Sequence, residues 1–203
     1  MRKEQGFTLV ELLIAMAIAV IIAGGFLAAG MLMIRGTNST NQKIQIQYEF
    51  DRTCHDIYNL LINTDKSHIN QIITTSPAPD AIGTGIIFQI PTIDTNGSFT
   101  TSSGILVWGD GQTKNHYIRI RQDENNDVVM EKITSLSGPT IVEKKILIKD
   151  CSMQIRGAFI NNSGALEYNN ATPSILDISF EKQDKYFTNQ KYKKHIHITL
   201  RVH

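Results

Sequence analysis

Charge of neither sign predominates in this chain, with 20 lysines and arginines against 19 aspartates and glutamates. That balance argues against a surface built for nucleic acid or another polyanion. Cysteine is scarce: Cys54 and Cys151 are the two in the chain. No nucleophile elbow, phosphate loop or zinc-ligand spacing occurs, and Gly83-Thr84-Gly85 and Gly109-Asp110-Gly111 are too short to cradle a phosphate. Nothing reads as an active site, so no enzyme activity, cofactor or metal is expected. Internal repeats and low-complexity segments are missing as well. The most informative absence is local: from Leu12 to Ile34, 23 consecutive residues carry no charge.

At about 1.5 Å per helical residue, that run crosses a hydrocarbon core of roughly 30 Å. Ahead of it lies a six-residue leader with Arg2 and Lys3, ending at Gly6. By the positive-inside bias the leader stays in the cytoplasm and everything after Ile34 lies outside, although Arg35 just past the run pulls the other way. Between Gly6 and Ile34 the only ionisable side chain is Glu11. A carboxylate at the edge of a span is costly unless paired, which makes Glu11 a functional candidate whose partner must be named. Cleavage after Gly6 would create that partner, a free amino group on Phe7 one helical turn away. A secretory signal peptide cut near Ala28-Ala29-Gly30 competes, but Glu11 inside the apolar region and a run beyond the usual length of about 7–15 residues argue against it. A plain single-span anchor fits the length and leaves Gly-Phe-Thr-Leu-Val-Glu unexplained. A buried core helix does not suit a charge-free stretch of this length.

Gly6-Phe7-Thr8-Leu9-Val10-Glu11, with the apolar helix behind it, resembles the amino terminus of the type IV pilin and type II secretion pseudopilin family. The resemblance implies that a prepilin peptidase cuts between Gly6 and Phe7 and that Phe7 is then N-methylated. It implies that Glu11 of one subunit meets the Phe7 amine of a neighbour in a filament. It also implies partners: other pilin or pseudopilin subunits, the peptidase, an inner-membrane assembly platform with its ATPase, and the membrane. Nucleic acid is not expected among them. The location implied is the cytoplasmic membrane, single-pass with an extracytoplasmic head, and then an extracellular or periplasmic filament.

The chain divides into a leader at 1–6, a transmembrane or filament-core helix at 7–34, an amphipathic continuation at 35–64 and a β-rich head at 65–203. Gly36 to Asn41 is polar and poor in helix formers, a place where one long helix of about 55 residues would fray or kink. Helical spacing returns at Ile46, Phe50, Cys54, Ile57 and Leu61, one apolar stripe that needs a cover. Strand-like runs follow between turn signals: 82–90, 105–108, 116–121, 128–133, 141–148, 151–159, 174–180 and 195–202. In the last, Ile196, Ile198, Leu200 and Val202 share one face. Alternation with one apolar face suits an antiparallel sheet covering a helix. The expected fold is α+β, a long amino-terminal helix packed on an antiparallel sheet.

The order of parts is similar to that of W-type minor pilins and J-type minor pseudopilins, which implies a subunit near the tip that helps to start the filament. A different class of function is a membrane-tethered extracytoplasmic ligand-binding or enzymatic domain; a third is a tip adhesin or DNA-uptake pilin. A disulfide between Cys54 and Cys151 would close a loop of 97 residues, for which chain entropy credits about 4.7 kcal/mol; a pair of buried thiols is the alternative. Asp123, Asn125 and Asp127 imitate the start of a calcium loop, yet Val128 and Thr134 occupy the glycine and glutamate positions, so a hairpin turn is expected. His195, His197 and His203 share a strand face that reads as solvent-facing. Lys182, Lys185, Lys191, Lys193 and Lys194 surround Tyr186, Phe187 and Tyr192 in what reads as a solvated loop.

Overall fold

The computed structural model describes residues 8–201 except 63, 79, 93–95, 97, 99, 104, 109–116, 172 and 186–188. The leader, Gly6 and Phe7 therefore lie outside the described residues, as do His116, Tyr186, Phe187, Val202 and His203.

Helix α1 runs from Leu9 to Leu61 without interruption. Its 53 residues span about 80 Å at the helical rise. The polar stretch after Gly36 stays helical, so the expected single long helix continues through it. Thr37 donates its hydroxyl to the Met33 carbonyl and Thr40 to the Gly36 carbonyl, each at 3.0 Å. Those back-bonds satisfy the hydroxyls within the helix, where they do not compete for its amide hydrogens. Past that point the helix buries the stripe that its spacing predicts, with Ile46, Phe50, Cys54, Ile57 and Leu61 all inside.

The cover is a sheet. Its strands are β1 (Ile69–Thr74), β2 (Gly83–Phe88), β5 (Tyr117–Gln122), β6 (Val128–Ile133), β7 (Ile141–Ile148), β8 (Ser152–Ile160), β9 (Leu166–Tyr168), β10 (Ile175–Gln183) and β11 (Lys191–Thr199); β3 (Thr101–Ser102) and β4 (Ile105–Leu106) form a small separate ribbon. The order is β11-β10-β8-β2-β5-β6-β7, all antiparallel, with β1 beside β2 and β9 beside β8. Ile86, Phe88, Ile120, Val128, Met153, Ile155, Leu176, Ile178, Phe180 and Ile198 meet the helix stripe in one core. Phe50 lies against Phe180 with ring centroids 6.2 Å apart. The architecture is α+β, one long helix on an antiparallel sheet.

Several strands depart from the sequence expectation, among them the two-residue β3 and three-residue β9, too short to show a period. β1 was not anticipated because its apolar residues do not alternate: the register slips between Ile69 and Gln71, which breaks the period of two. β11 begins at Lys191 rather than at His195, so most of the lysine cluster is strand. Lys193 stands opposite Glu181, and both Lys191 and Lys193 pair with that carboxylate, at 2.7 and 2.8 Å.

Where the chain returns from β9 to β10 it passes directly over Gly157. A Cβ there would lie 2.7 Å from the Asn169 carbonyl oxygen and 2.9 Å from the Pro173 Cβ. Asn170 Oδ1 accepts from the Gly157 N–H at 2.7 Å, and its Nδ2 donates to the Ala81 carbonyl at 2.8 Å. Gly157→Val should therefore cost about 1–3 kcal/mol through forced backbone shifts, read as a lower urea midpoint of the full chain in detergent. An unchanged midpoint would show that this crossing yields freely.

Candidate functional site

The helix start is a capping box. Glu11 N–H donates to Thr8 Oγ1 at 3.3 Å, while Glu11 Oε2 accepts from the Thr8 N–H and the Thr8 hydroxyl, each at 2.9 Å. Two otherwise orphaned amide donors are thereby satisfied. The structure thus brings Glu11 together with Thr8, a partner the sequence reading missed although Thr-x-x-Glu is a capping signature. The other predicted partner, the Phe7 amine, and the Gly6–Phe7 bond lie outside the described residues.

From Leu9 to Ile34 the head covers none of the helix. Every large apolar side chain from Leu9 to Ile34 is between 52 and 77 % exposed. By length and composition this part of α1 is apolar enough to cross a membrane. Unpartnered apolar surface on this scale marks a membrane or protein contact. Residues 1–27 match the prokaryotic N-terminal methylation motif. The match supports a type IV pilin-like family and implies processing by a prepilin peptidase, assembly with other pilins and a membrane anchor. Comparisons with characterised proteins and with solved structures give no match.

Polar contacts rim the apolar seat of the helix on the head. Ser39 donates to Asp184 Oδ2 at 2.9 Å, and the Tyr192 hydroxyl donates to the same oxygen at 2.6 Å. Asp184 is buried, and its carboxylate pushes the Tyr192 phenol above its ordinary value. Further along, Lys182 pairs with Glu49 at 2.9 Å, Lys194 with Asp51 at 2.8 Å and Lys145 with Asp56 at 3.2 Å. Thr53 donates to the Leu147 carbonyl at 3.2 Å. Pairs on this rim fix register more than they add stability.

Cys54 and Cys151 are both buried in the helix–sheet core and are free thiols in the structure. Burial pushes Cys54 up to about 11 and Cys151 up to about 12. A thiol that holds its proton more tightly when folded loses stability once the unfolded chain begins to ionise. Free thiols therefore predict a stability that falls as pH rises from about 9 toward 11–12, with the fall reduced in the Cys54→Ala/Cys151→Ala protein. Urea midpoints of both proteins at pH 8, 9 and 10 read this; identical slopes would mean that the sulfurs carry no proton to lose, as in a disulfide.

The remaining sequence candidates have structural roles. Asp123 Oδ1 accepts from the N–H groups of Asn125 and Asp127, both at 3.0 Å, and Oδ2 takes Lys144 Nζ at 3.0 Å. Asn126 adopts φ +60°, so 123–127 is the hairpin turn between β5 and β6. Those donors hold the Asp123 carboxyl below its usual range, the Asp127 amide most of all. His195 and His197 point outward from β11, where His197 Nδ1 lies 3.5 Å from Asp177 Oδ1. Among the described residues no three His, Cys, Asp or Glu side chains converge.

Proposed function

We propose that the chain is a minor pilin or pseudopilin, a structural subunit of a type IV filament. It is inserted as a single-span precursor, cut after Gly6, methylated on Phe7 and drawn from the bilayer into a filament that it helps to start. The observation that carries this is the uncovered apolar helix from Leu9 to Ile34, opened by the Thr8–Glu11 cap and falling in large part within the methylation motif. Such a surface suits lipid before assembly and neighbouring helices afterwards. Ile44, Tyr48 and Tyr58 extend it onto the side of α1 turned away from the head, at 60, 67 and 44 % exposure. Glu11 then pairs with the Phe7 amine of a neighbouring subunit, since an unpaired carboxylate in an apolar bundle is strongly disfavoured. The order of head elements supports the W-type or J-type minor subunits, and the basic leader supports an extracytoplasmic head.

The amino terminus of the mature protein tests this. Intact and peptide masses should show a methylated Phe7. A terminus at Met1 or Met31 would instead favour a tethered extracytoplasmic domain. Deleting the gene and scoring filaments beside secreted proteins then separates a pilus from a secretion pseudopilus.

A further inference from the structure

The start of the connection between β10 and β11, at Asp184 and Lys185, is fixed against α1 at a defined height. Asp184 receives the Ser39 hydroxyl, and the Lys185 N–H donates to Gln42 Oε1 at 3.2 Å. Both helix residues follow closely on Ile34, the last residue of the charge-free run. At the helical rise Ser39 stands about 7–8 Å and Gln42 about 12 Å beyond Ile34. The polar headgroup layer on one side of a bilayer is about 5–8 Å deep. With Ile34 at the hydrocarbon edge, the Ser39 contact therefore sits at the outer limit of the lipid headgroups and the Gln42 contact just above them.

Three exposed cations lie at this end of the head. Arg35 and Lys43 flank Ser39 at four residues before and four after, which places them on the same helix face as the head. Lys185 hangs over that face from the connection. None of the three has an acidic partner among the described residues. The acids on this side of the head are engaged: Asp184 by Ser39 and Tyr192 and, farther from the bilayer, Glu49 by Lys182 and Glu181 by Lys191 and Lys193. Between helix and connection opens a notch of about 280 Å³, walled by Asn38, Asn41, Gln42, Lys185 and the Lys182–Glu49 ion pair. Its rim offers side-chain amide donors and the Lys185 ammonium, the chemistry that suits a phosphate oxygen.

We infer that this underside, Arg35 and Lys43 on the helix with Lys185 and the notch it lines, is a seat for anionic phospholipid headgroups. It holds the head against the bilayer while the helix is still a membrane span. Long lysine stems let Lys43 and Lys185 reach down to the phosphates from just above them. The contact would be released when the helix is drawn out, so it belongs to the membrane-anchored form in the function proposed above. It requires only the span, whichever side of the membrane the head occupies.

The test is lysine acetylation of the full chain in lipid nanodiscs, with a water-soluble reagent that reaches both faces. Discs of phosphatidylcholine are compared with discs containing phosphatidylglycerol. At about one kcal/mol per basic residue near an anionic surface, Lys43 and Lys185 should label roughly fivefold more slowly in the anionic discs, and salt should restore the rate. Lys66, at the far end of α1, should label equally in both. In Arg35→Gln/Lys185→Gln the protection of Lys43 should shrink. Equal labelling of Lys43 and Lys185 in the two lipids would overturn the proposal. So would protection that is independent of lipid charge and grows with the number of chains per disc, which would assign the face to a second copy. A chain that does not insert into discs at all would overturn the span itself, a different failure from a chain that inserts and labels evenly.

Discussion

Glu11→Ala is expected to leave cleavage after Gly6 and methylation of Phe7 intact while lowering incorporation into the filament by at least an order of magnitude, the scale of losing a buried charge partner. The carboxylate has one duty seen within the chain and a second proposed between chains. Within the chain it caps the helix, accepting from Thr8 through Oε2; between chains it would neutralise a neighbour's amine. Losing a cap costs about 1 kcal/mol, and in a span whose backbone is otherwise satisfied that is too little to prevent assembly. Thr8→Val removes the hydroxyl half of the box while keeping the carboxylate, so it should assemble nearly normally. Glu11→Gln is the sharper variant, because glutamine can replace glutamate in a capping box but brings no charge. It should fail as alanine does. The readout is the amount of each variant recovered with sheared filaments relative to the processed pool in the membrane. Recovery of Glu11→Gln at the normal level would reduce Glu11 to a cap. Normal recovery of Glu11→Ala would remove it from assembly altogether.

How much of this was legible in the sequence follows from how far each feature depends on distant residues. The span, its single carboxylate and the stripe from Ile46 to Leu61 are local periodicities, and α1 carries them as the spacing predicts. β6 and β7 run from Val128 to Ile133 and from Ile141 to Ile148, the limits their apolar runs mark. The first half of β11 was hidden because Lys191, Lys193 and Lys194 look like loop until Glu181 and Asp51 are seen opposite them. The lysines are strand residues whose partners lie elsewhere in the chain. Ser39 and Asp184 meet across 145 positions, and no spacing rule connects a serine in a polar helical stretch with an aspartate between two strands. Through Gly36 the Thr37 and Thr40 hydroxyls are satisfied on the helix's own carbonyls and Ser39 is tied to Asp184 of the head, a tertiary contact that local propensity does not include.

Glu131 is the other feature invisible in the sequence, and Glu131→Ala should be the most destabilising of the substitutions named here. Alternation along β6 places Val128 and Met130 on the helix side and Glu131 on the opposite face of the sheet. The Glu131 side chain is fully buried there. Two cross-strand arginines of β5 close on it: Arg119 reaches Oε2 through Nη2 at 2.6 Å and Nε at 2.7 Å, and Arg121 spans both oxygens at 3.0 Å. Burial alone would raise this carboxyl, but the two guanidinium groups outweigh it and hold the group below its ordinary 4.5. Removing the carboxylate leaves two partly buried cations facing each other, and breaking a buried pair in this way costs about 3–5 kcal/mol. That is a large share of the 5–15 kcal/mol that holds a typical domain together. The sign of the pH dependence follows from the lowered carboxyl. Its contribution is present above pH 4.5 and is lost progressively as pH falls below, so the wild type and Glu131→Ala should converge in acid. Urea unfolding of the full chain in detergent at pH 7 and at pH 4 reads both effects. A third protein isolates the cause: Arg119→Met/Arg121→Leu/Glu131→Leu removes all three charges and should recover most of the lost stability, since buried ionic triads exchange for apolar residues at little cost. If the triple variant is as unstable as Glu131→Ala, the harm lies in lost packing at this face rather than in stranded charge.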